Sequence, residues 1–237
     1  MSSSAPTPAD PATGLVVAID GPSGSGKSST SRGVAARLGL QYLDTGAMFR
    51  GMTWWMLREG VDVHDPAAVA ARAAEPRIVS GTDPLAPSIT VDGVDVALAI
   101  RADDVTNAVS PVSVVPEVRT RLLELQRASI AEAVRDARGI VVEGRDIGSV
   151  VAPNAPVKVF LTADATARAV RRAAEEGGSD VVATQESLLA RDKIDSGRTT
   201  APLTMADGAI HIDTTPYTLD EVIDQVVALV EAVEAGS

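Results

Sequence analysis

The chain has 237 residues, of which 45% are hydrophobic and only 3% aromatic, so its core must be built from Ala, Val, Leu and Ile. The absence of cysteine excludes disulfides, thiolate metal sites and cysteine catalysis, and the formal net charge of -11 argues against a general nucleic-acid binder, which needs a basic face. No apolar run reaches the roughly 18 residues of a membrane helix. Residues 1–13 are small, polar and proline-containing, so we expect a disordered tail rather than a signal peptide, and a cytoplasmic protein without membrane contact.

The first predicted elements are a strand, a glycine-rich loop and a helix. Residues 15–20 form the short apolar run of a buried parallel strand, and residues 28–38 carry apolar side chains at helical spacing. Between them, residues 21–28 match G-x-x-x-x-G-K-[ST], the phosphate-binding loop. Its glycines let backbone N–H groups point at a polyphosphate, while Lys27 should reach the β- and γ-phosphates and Ser28 should bind Mg²⁺. The sequence thus predicts a site for a nucleoside triphosphate.

The next pair of elements is a strand over residues 40–44 and a helix from Thr45, its expected cap, to Arg58. One face of this helix is apolar, which predicts that it packs in the core rather than against a cofactor. The residues of that face are Met48, Met52, Trp55 and Met56.

Residues 65–100 change the pattern. Asp65 followed by Pro66 predicts the start of a short alanine-rich helix that runs to about Glu75. Strand patterns then occupy residues 77–80, 88–91 and 94–100, and Asp92-Gly93 is a hairpin turn signal. A small antiparallel insertion in an otherwise α/β chain is therefore predicted.

The second half of the chain alternates helices and strands again. A long helix is predicted from Pro116 to about Arg138, with Gly139 ending it. Further strands are predicted over residues 140–143, 157–161 and 210–213. Further helices are predicted from Asp164 to Glu176, from Gln185 to Lys193, and behind a capping box of Thr218 and Glu221. This alternation predicts a parallel sheet with helices on both faces and ligands at the carboxyl ends of its strands.

Two polar segments, residues 44–46 and 143–146, follow predicted strands and should share an edge of the sheet with the phosphate-binding loop. Several arginines outside the strands favour a second anionic substrate, because a guanidinium binds phosphate oxygens bidentately. They are Arg50, Arg119, Arg145, Arg191 and Arg198. The chain lacks both a guanine-reading Asn-Lys-x-Asp and an apolar strand ending in two acidic residues, which disfavours switch GTPases and motor ATPases and leaves small-molecule kinases.

Six stretches, in this order, carry a more specific pattern than the loop alone. They are residues 19–27, 43–50, 100–101 with 107–110, 116–119, 143–148, and 191–198 before Ala201-Pro202-Leu203. Through them the chain resembles the bacterial cytidylate (CMP) kinases of the nucleoside monophosphate kinase family, from about Val16 to Val230. It departs from that pattern at Thr45, where serine is common, and at Ile194 and Ser196, where the family often has arginine.

The resemblance implies an α/β fold: a P-loop NTPase-type parallel five-stranded sheet with helices on both faces. It implies a core of residues 14–60 and 107–237, an inserted NMP-binding α+β domain of residues 61–106, and a mobile lid of residues 177–203. The implied reaction, with Mg²⁺, converts ATP and CMP or dCMP into ADP and CDP or dCDP in pyrimidine nucleotide metabolism. The family expectation is a monomer, and the net charge of -11 predicts no nucleic-acid partner.

The same resemblance implies a role for each matching site residue. ATP should be bound by Gly21, Pro22, Ser23, Gly24, Ser25, Gly26, Lys27, Ser28 and Ser29. The monophosphate should be held by Arg50, Arg145 and Arg198, and cytosine read by Ser110, Arg119 and Asp146. Arg191 and Asp195 should lie near the sugar, and Thr45 should also contact the nucleotide. The groups expected to act in catalysis are Lys27, Arg145, Arg191 and Arg198.

Asp146 carries an expectation about specificity. A carboxylate accepts a hydrogen bond from the N4 amino group of cytosine but faces an unpaired oxygen in uracil, so CMP should be preferred over UMP. Glu143, at the end of its predicted strand, has two open interpretations: it holds a water of the Mg²⁺ shell, or it pairs a nearby arginine.

Two other functions stay open at this point. The chain could phosphorylate another small acceptor, such as UMP or shikimate, which a panel of substrates distinguishes. It could also be a nucleotide-binding regulatory protein that has lost catalysis, although the intact Lys27, Ser28 and arginine set argue against this.

Overall fold

A computed structural model of the chain describes residues 14–136, 138–175, 178, 180–197 and 203–236. Its centre is a parallel five-stranded sheet in the order β2-β6-β1-β7-β8. The strands are β1 (Val16–Asp20), β2 (Gln41–Asp44), β6 (Ile140–Gly144), β7 (Val157–Thr162) and β8 (Ile210–Asp213). The sequence predicted these five strands and the parallel arrangement, and the structure confirms both.

Helices cover both faces of this sheet. The helices in the described part of the chain are α1 (Lys27–Leu38), α2 (Thr45–Arg58), α3 (Pro66–Arg72), α4 (Asp103–Ser113), α5 (Pro116–Arg135), α6 (Ala165–Glu175), α7 (Val181–Ser196) and α8 (Leu219–Ala235). In β1, Val17 and Ile19 pack with α1 and α8, whereas Val16 and Ala18 pack with α2 and α5. Burial on both faces explains why β1 is apolar throughout, as strands of a parallel sheet are.

The apolar face of α2 lies in the core, as predicted. Met48, Met52, Trp55 and Met56 are all buried there. The cap of this helix differs from the prediction: Asp44, not Thr45, is the N-cap, and its carboxylate accepts a hydrogen bond from the Ala47 N–H. Thr45 is already the first helical residue, so its hydroxyl is available for a different bond, which is described below.

A second, antiparallel sheet of three strands lies in the predicted insertion. It is formed by β3 (Ile78–Ser80), β4 (Ile89–Val91) and β5 (Val94–Asp95), and the turn between β4 and β5 uses positive φ angles at Asp92 (51°) and Gly93 (79°). The loop between β3 and β4 reaches the main sheet, where the Thr82 carbonyl accepts a hydrogen bond of 2.9 Å from the Tyr42 N–H. The insertion thus covers part of the outer edge of β2.

The predicted strand over residues 94–100 is wrong beyond Asp95. The Asp95 side chain accepts a hydrogen bond from the Ala97 N–H, which turns the backbone out of the sheet. A 3₁₀ turn over Ala99–Arg101 follows, in which Arg101 N donates to Leu98 O at 3.0 Å. A bond of 2.9 Å from Ile100 N to Val96 O joins this turn to the segment just before it. Val96 and Ile100 are buried one turn apart while Leu98 is exposed, so the apolar alternation belongs to a turn rather than to a strand.

Helix α4 was absent from the sequence-based assignment. Its N-cap, Ala102, makes no side-chain capping bond, and Pro111, a helix breaker, lies inside the helix, although Asp103 and Asp104 occupy its first turn. Its buried face nevertheless has helical spacing, with Val105, Ala108 and Val112 in the core.

Other boundaries shift by a few residues. Helix α5 ends at Arg135, because Arg138 N–H already bonds back to the Ala133 carbonyl. Helix α7 begins at Val181, four residues before the prediction, because the Asp180 carboxylate accepts from the Val182 and Ala183 N–H groups.

The remaining helix starts agree with the predictions. The Asp164 carboxylate caps α6 by accepting from the Ala167 N–H, and the predicted end of that helix, Glu176, lies outside the described residues. Thr218 and Glu221 form the predicted capping box of α8. Among the described residues, no helix has the length and apolar character that spanning a membrane requires.

Candidate active site

One cleft lies at the carboxyl ends of β2, β6 and β1, which are neighbours in the sheet. It brings together the phosphate-binding loop and both polar segments predicted to share its edge. The predicted site residues that line it are Ser23, Gly24, Gly26, Lys27, Ser28, Ser29, Thr45, Arg50, Ser110, Arg119, Glu143, Arg145 and Asp146. Gly21, Pro22 and Ser25 belong to the same loop without lining the cleft.

The loop is built for close backbone approach. Gly24 and Gly26 have φ angles of 77° and 86°, in the left-handed region that favours glycine, and Gly26 is the N-cap of α1. A Cβ at Gly24 would lie 3.0 Å from the backbone oxygen of Arg168, so a larger residue would be crowded there as well as strained by its positive φ. The loop therefore delivers backbone N–H groups and a helix N-terminus to the cleft, an arrangement that attracts anions.

Lys27 is the cation of this loop. Its ammonium group is buried and donates a 2.7 Å hydrogen bond to the Pro22 carbonyl, which folds the side chain back over the loop. Burial lowers the pKa of Lys27, the nearby Arg145 guanidinium lowers it further, and Glu143 opposes the shift. An anion bound in the loop would raise the pKa of this lysine again and favour its charged form.

Glu143 connects the loop to the neighbouring strand. Its carboxylate accepts a 2.9 Å hydrogen bond from the Ser28 hydroxyl and a second bond from the phenol of Tyr42. Burial raises the pKa of Glu143, and the Asp44 carboxylate adds to the rise. A hydroxyl and a carboxylate side by side are hard oxygen donors, which fit Mg²⁺.

Thr45 is fixed next to this group. Its hydroxyl donates a 2.7 Å hydrogen bond to the Glu143 carbonyl, so the start of α2 is tied to the end of β6. A serine hydroxyl could make the same bond.

The opposite side of the cleft is built from side chains of remote segments. Arg119 of α5 and Asp146, just after β6, form an ion pair whose side chains are only 13% and 10% exposed. The Arg119 guanidinium also lies 5.6 Å from the ring centroid of Phe49 and donates to the Ser113 carbonyl. Ser110 of α4 lines the same part of the cleft. The three residues expected to read cytosine are thus brought together.

Two further arginines point into the cleft from fixed positions. Arg50 donates to the Thr106 hydroxyl at 3.0 Å, and Arg145 donates to the Gly21 carbonyl at 2.8 Å. Both belong to the set expected to hold the monophosphate. The third member, Arg198, lies outside the described residues, and Arg191 and Asp195 are described only as backbone of α7.

Sequence reasoning missed the arginines of α6. Arg172 lines the cleft, and the buried Arg168 donates to the Ser23 carbonyl at 3.1 Å and to the Asp192 carboxylate of α7 at 2.5 Å. The available signal was topological: α6 follows β7, which ends at the same edge of the sheet as the loop. Three arginines in five residues on that helix, at positions 168, 171 and 172, indicated an anionic neighbour.

Asp20 was also missed. This last residue of β1 is only 3% exposed, and its carboxylate accepts 2.8 Å hydrogen bonds from the N–H groups of Ile147 and Gly148. Burial raises the pKa of Asp20 to about 6, with a further contribution from Asp146, while the two amides and Lys27 oppose the rise.

Comparison with known proteins agrees with this geometry. A family model described as "Cytidylate kinase" matches residues 17–232. A protein of Streptomyces avermitilis named cytidylate kinase is 59% identical over 222 residues, which cover 94% of this chain and 95% of the relative. One of Streptomyces griseus with the same name is 60% identical over 217 residues, covering 92% and 93%.

A solved structure is similar in fold. It belongs to an uncharacterized protein from Eubacterium ventriosum, with a TM-score of 0.52, 13% sequence identity and coverage of 92% of this chain and 99% of the other.

Proposed function

The chain belongs to the cytidylate kinase family, and we propose that it transfers the γ-phosphoryl group of ATP to CMP or dCMP, giving ADP with CDP or dCDP. The observation that carries the proposal is the shared cleft, in which the phosphate-binding loop faces the buried Arg119–Asp146 pair. A kinase needs both features within reach of each other, because its two substrates react directly.

On the triphosphate side, the loop N–H groups and the N-terminus of α1 bind the β- and γ-phosphates of ATP. Lys27 supplies a positive charge that compensates the negative charge of the γ-phosphoryl group as it is transferred. In the structure the Lys27 ammonium donates to the Pro22 carbonyl, and because burial lowers the pKa of Lys27, a bound phosphate would favour its charged form.

The residues present fit Mg²⁺, with the Ser28 hydroxyl as its ligand and the Glu143 carboxylate next to it. When bound with ATP, the ion neutralises phosphate charge and orients the triphosphate. Ser28 and Glu143 hold each other in place through their hydrogen bond, and Tyr42 fixes the other oxygen of Glu143. Of the two interpretations of Glu143, this arrangement favours the one in which it holds a water of the Mg²⁺ shell over the one in which it pairs with an arginine.

On the acceptor side, Asp146 accepts from the N4 amino group of cytosine and Arg119 donates to N3 and O2. Their mutual ion pair already orients both side chains in the cleft, so little order has to be gained when the base binds. Ser110 completes the base pocket, and Thr45 contacts the same nucleotide. Uracil would present oxygen to the Asp146 carboxylate, so CMP is preferred over UMP.

The monophosphate is held by Arg50 and Arg145, with Arg198 as a third partner, and Arg191 and Asp195 lie near the sugar. Guanidinium groups bind phosphate oxygens bidentately, which aligns the attacking oxygen with the γ-phosphoryl group. Because the acceptor oxygen is itself the nucleophile, alignment and charge compensation by Lys27, Arg145, Arg191 and Arg198 suffice, with no covalent intermediate.

The proposed division of the chain follows the same scheme. Residues 61–106 form the inserted acceptor-binding domain on a core of residues 14–60 and 107–237, and residues 177–203 act as the lid that excludes water from the reaction. The separate sheet of β3, β4 and β5 supports the first part of this division. A monomer that acts in the cytoplasm stays a prediction from the family.

The test is ADP release from ATP·Mg²⁺ with CMP, dCMP, UMP, AMP, shikimate or no acceptor. We expect turnover with CMP and dCMP, and little with the other acceptors. Turnover mainly with another acceptor would overturn the roles of Arg119 and Asp146 but keep that of the loop. No acceptor-dependent turnover would favour a nucleotide-binding protein without catalysis.

A further inference from the structure

The turn after β6 has an unusual N-terminal cap. A π-helix over Ile147–Val151 begins directly behind Asp146, and its first N–H groups need acceptors. An aspartate at the N-cap position ordinarily supplies that acceptor from its own side chain. Asp146 makes no such bond; its carboxylate instead pairs with Arg119 in the cleft.

Asp20 provides the cap from a neighbouring strand. One of its carboxylate oxygens accepts from Ile147 N and the other from Gly148 N, each at 2.8 Å. The two bonds span 127 and 128 residues of sequence, and the carboxylate is buried beneath the cleft rather than lining it. A buried carboxylate with both oxygens bonded to backbone amides is a rigid anchor, because each lost bond would leave a buried N–H without a partner.

The same turn is held at its other end. Arg145 donates to the carbonyl of Gly21, the residue that follows Asp20 in the chain. Residues 145–148 are therefore attached to residues 20–21 by three hydrogen bonds, at the point where β1 enters the phosphate-binding loop.

We infer that Asp20 is a positioning residue for acceptor recognition: by capping the π-helix in place of Asp146, it leaves the Asp146 carboxylate in the cleft, paired with Arg119. This inference rests on the proposed role of Asp146 in reading cytosine. It assigns Asp20 no contact with either substrate.

The consequence of losing the cap follows from the geometry. In Asp20→Asn the side-chain NH₂ cannot accept a hydrogen bond, so one of the two amides loses its partner. The nearest carboxylate in the chain is then that of Asp146, which already occupies the N-cap position. It turns towards the free amide and away from Arg119, and the discrimination between the two pyrimidines falls.

The experiment compares kcat/KM for CMP and UMP in the wild type, Asp20→Asn, Asp146→Ala and the double variant. We expect the CMP/UMP ratio to fall by about tenfold in Asp20→Asn, on the scale of one lost hydrogen bond to a charged group. In the Asp146→Ala background, Asp20→Asn should change the ratio no further, because there is no carboxylate left to redirect.

Two additional variants separate positioning from folding. Gly148→Ala keeps both carboxylates but places a Cβ 3.1 Å from Ala206 Cβ and 3.3 Å from Lys158 Cδ, so the backbone of residue 148 or these neighbours must shift by a few tenths of an ångström. Where amide exchange shows that the bond from residue 148 to Asp20 is weakened, the ratio should fall as it does in Asp20→Asn. Asp65→Asn is the matched control, since Asp65 also accepts from two backbone amides, those of Ala67 and Ala68, but outside the cleft. The CMP/UMP ratio of Asp65→Asn should equal that of the wild type.

Amide hydrogen exchange at residues 147 and 148 gives a readout independent of activity. Asp20→Asn should speed exchange there, whereas Asp146→Ala should not. If Asp146→Ala lowers the CMP/UMP ratio while Asp20→Asn and Gly148→Ala leave it unchanged, the inference is overturned and the proposed function stands. If Asp146→Ala itself keeps the wild-type ratio, the proposed reading of cytosine fails, and the inference fails with it.

Discussion

The two sides of the cleft are built in different ways. On the triphosphate side, a single segment of residues 21–28 presents backbone groups, with Lys27 as its main charged side chain. On the acceptor side, side chains from α2, α4, α5 and the turn after β6 meet although they are far apart in sequence. The first side is determined by one local sequence motif, whereas the second is determined by the topology that brings remote segments together.

This difference reflects what each side has to recognise. Phosphate oxygens are alike in every nucleotide, so backbone N–H groups and a helix N-terminus bind them without reading identity. A base is distinguished only by donors and acceptors at fixed positions, which in the proposed function are supplied by the side chains of Arg119 and Asp146. Substitutions on the first side should therefore change the rate with every acceptor, and substitutions on the second should change which acceptor is used.

The largest effect is expected for Lys27→Ala. The variant should lose about a thousandfold in kcat with CMP and with dCMP alike, because the lost charge acts on the transferred group rather than on the base. The measurement is steady-state ADP release with each acceptor. Lys158→Ala is the matched control, since the Lys158 ammonium lies outside the cleft and donates to the carbonyl of the exposed Asp207. A loss of kcat with only one acceptor would contradict the expectation that this side of the cleft acts on every acceptor alike.

The next effect is expected for Asp146→Ala. Removing this carboxylate leaves the buried Arg119 without its ion-pair partner and should lower the CMP/UMP ratio of kcat/KM by about a hundredfold, with a higher KM for CMP. Competing CMP and UMP in one assay measures the ratio directly. Asp136→Ala, which removes a carboxylate from the exposed Asp136–Arg138 pair, should leave it unchanged. A wild-type ratio in Asp146→Ala would contradict the assignment.

A smaller effect is expected for Asp192→Asn, which tests whether the triphosphate side depends on side chains beyond its motif. Arg168 is buried and bridges the Ser23 carbonyl to Asp192, so weakening this pair should disturb the loop and raise the KM for ATP by about tenfold, with less change in the KM for CMP. Asp224→Asn, in the exposed pair with Arg37, is the control. Equal changes in both KM values would indicate a general loss of structure.

The smallest effect concerns how the free energy of unfolding depends on pH. It tests Asp20, whose buried carboxylate holds the turn that carries Asp146. The pKa of Asp20 is raised to about 6 in the folded protein, so the native state binds this proton more readily than the unfolded chain does. The stabilising contribution of the protonated carboxyl is therefore present at low pH and is lost as pH rises through about 6. The charged groups facing Asp20 are Asp146, which raises its pKa, and Lys27, which lowers it.

Urea unfolding of the wild type and Asp20→Asn at several pH values measures this contribution. Between about pH 7.5 and about pH 5, the wild type should gain on the order of 1 kcal/mol of unfolding free energy relative to the variant. A difference between the two proteins that is independent of pH would show that the Asp20 carboxyl titrates normally.

Much of the fold could be predicted from the sequence, because local patterns determine it. The five strands of the main sheet, the apolar face of α2 and the Thr218–Glu221 capping box follow from periodicity and capping signals. The shared edge of the loop and residues 143–146 follows from the rule that ligands bind at strand carboxyl ends.

The errors have physical causes as well. The alternation of apolar and polar residues over 94–100 resembles that of a strand. Asp95 nevertheless turns the chain out of the sheet, and Val96 and Ile100 are buried while Leu98 between them is exposed. Helix α4 carries an internal proline and no side-chain cap. Asp20 and Arg168 bond to groups more than a hundred residues away, 127 and 145 positions in sequence. No local pattern marks Asp20, and the arginine cluster around Arg168 indicates an anionic neighbour without identifying the Ser23 carbonyl as a partner.

The hydrogen bond from Tyr42 N–H to the Thr82 carbonyl has a consequence for the whole sheet. Because β2 is an edge strand, its outward N–H groups are a template on which another chain could add a strand and begin to aggregate. The loop between β3 and β4 satisfies one of these N–H groups, that of Tyr42, through the Thr82 carbonyl. The insertion is therefore not a module that can be deleted to leave an intact core: a shortened chain would expose this edge, and we expect it to self-associate during refolding.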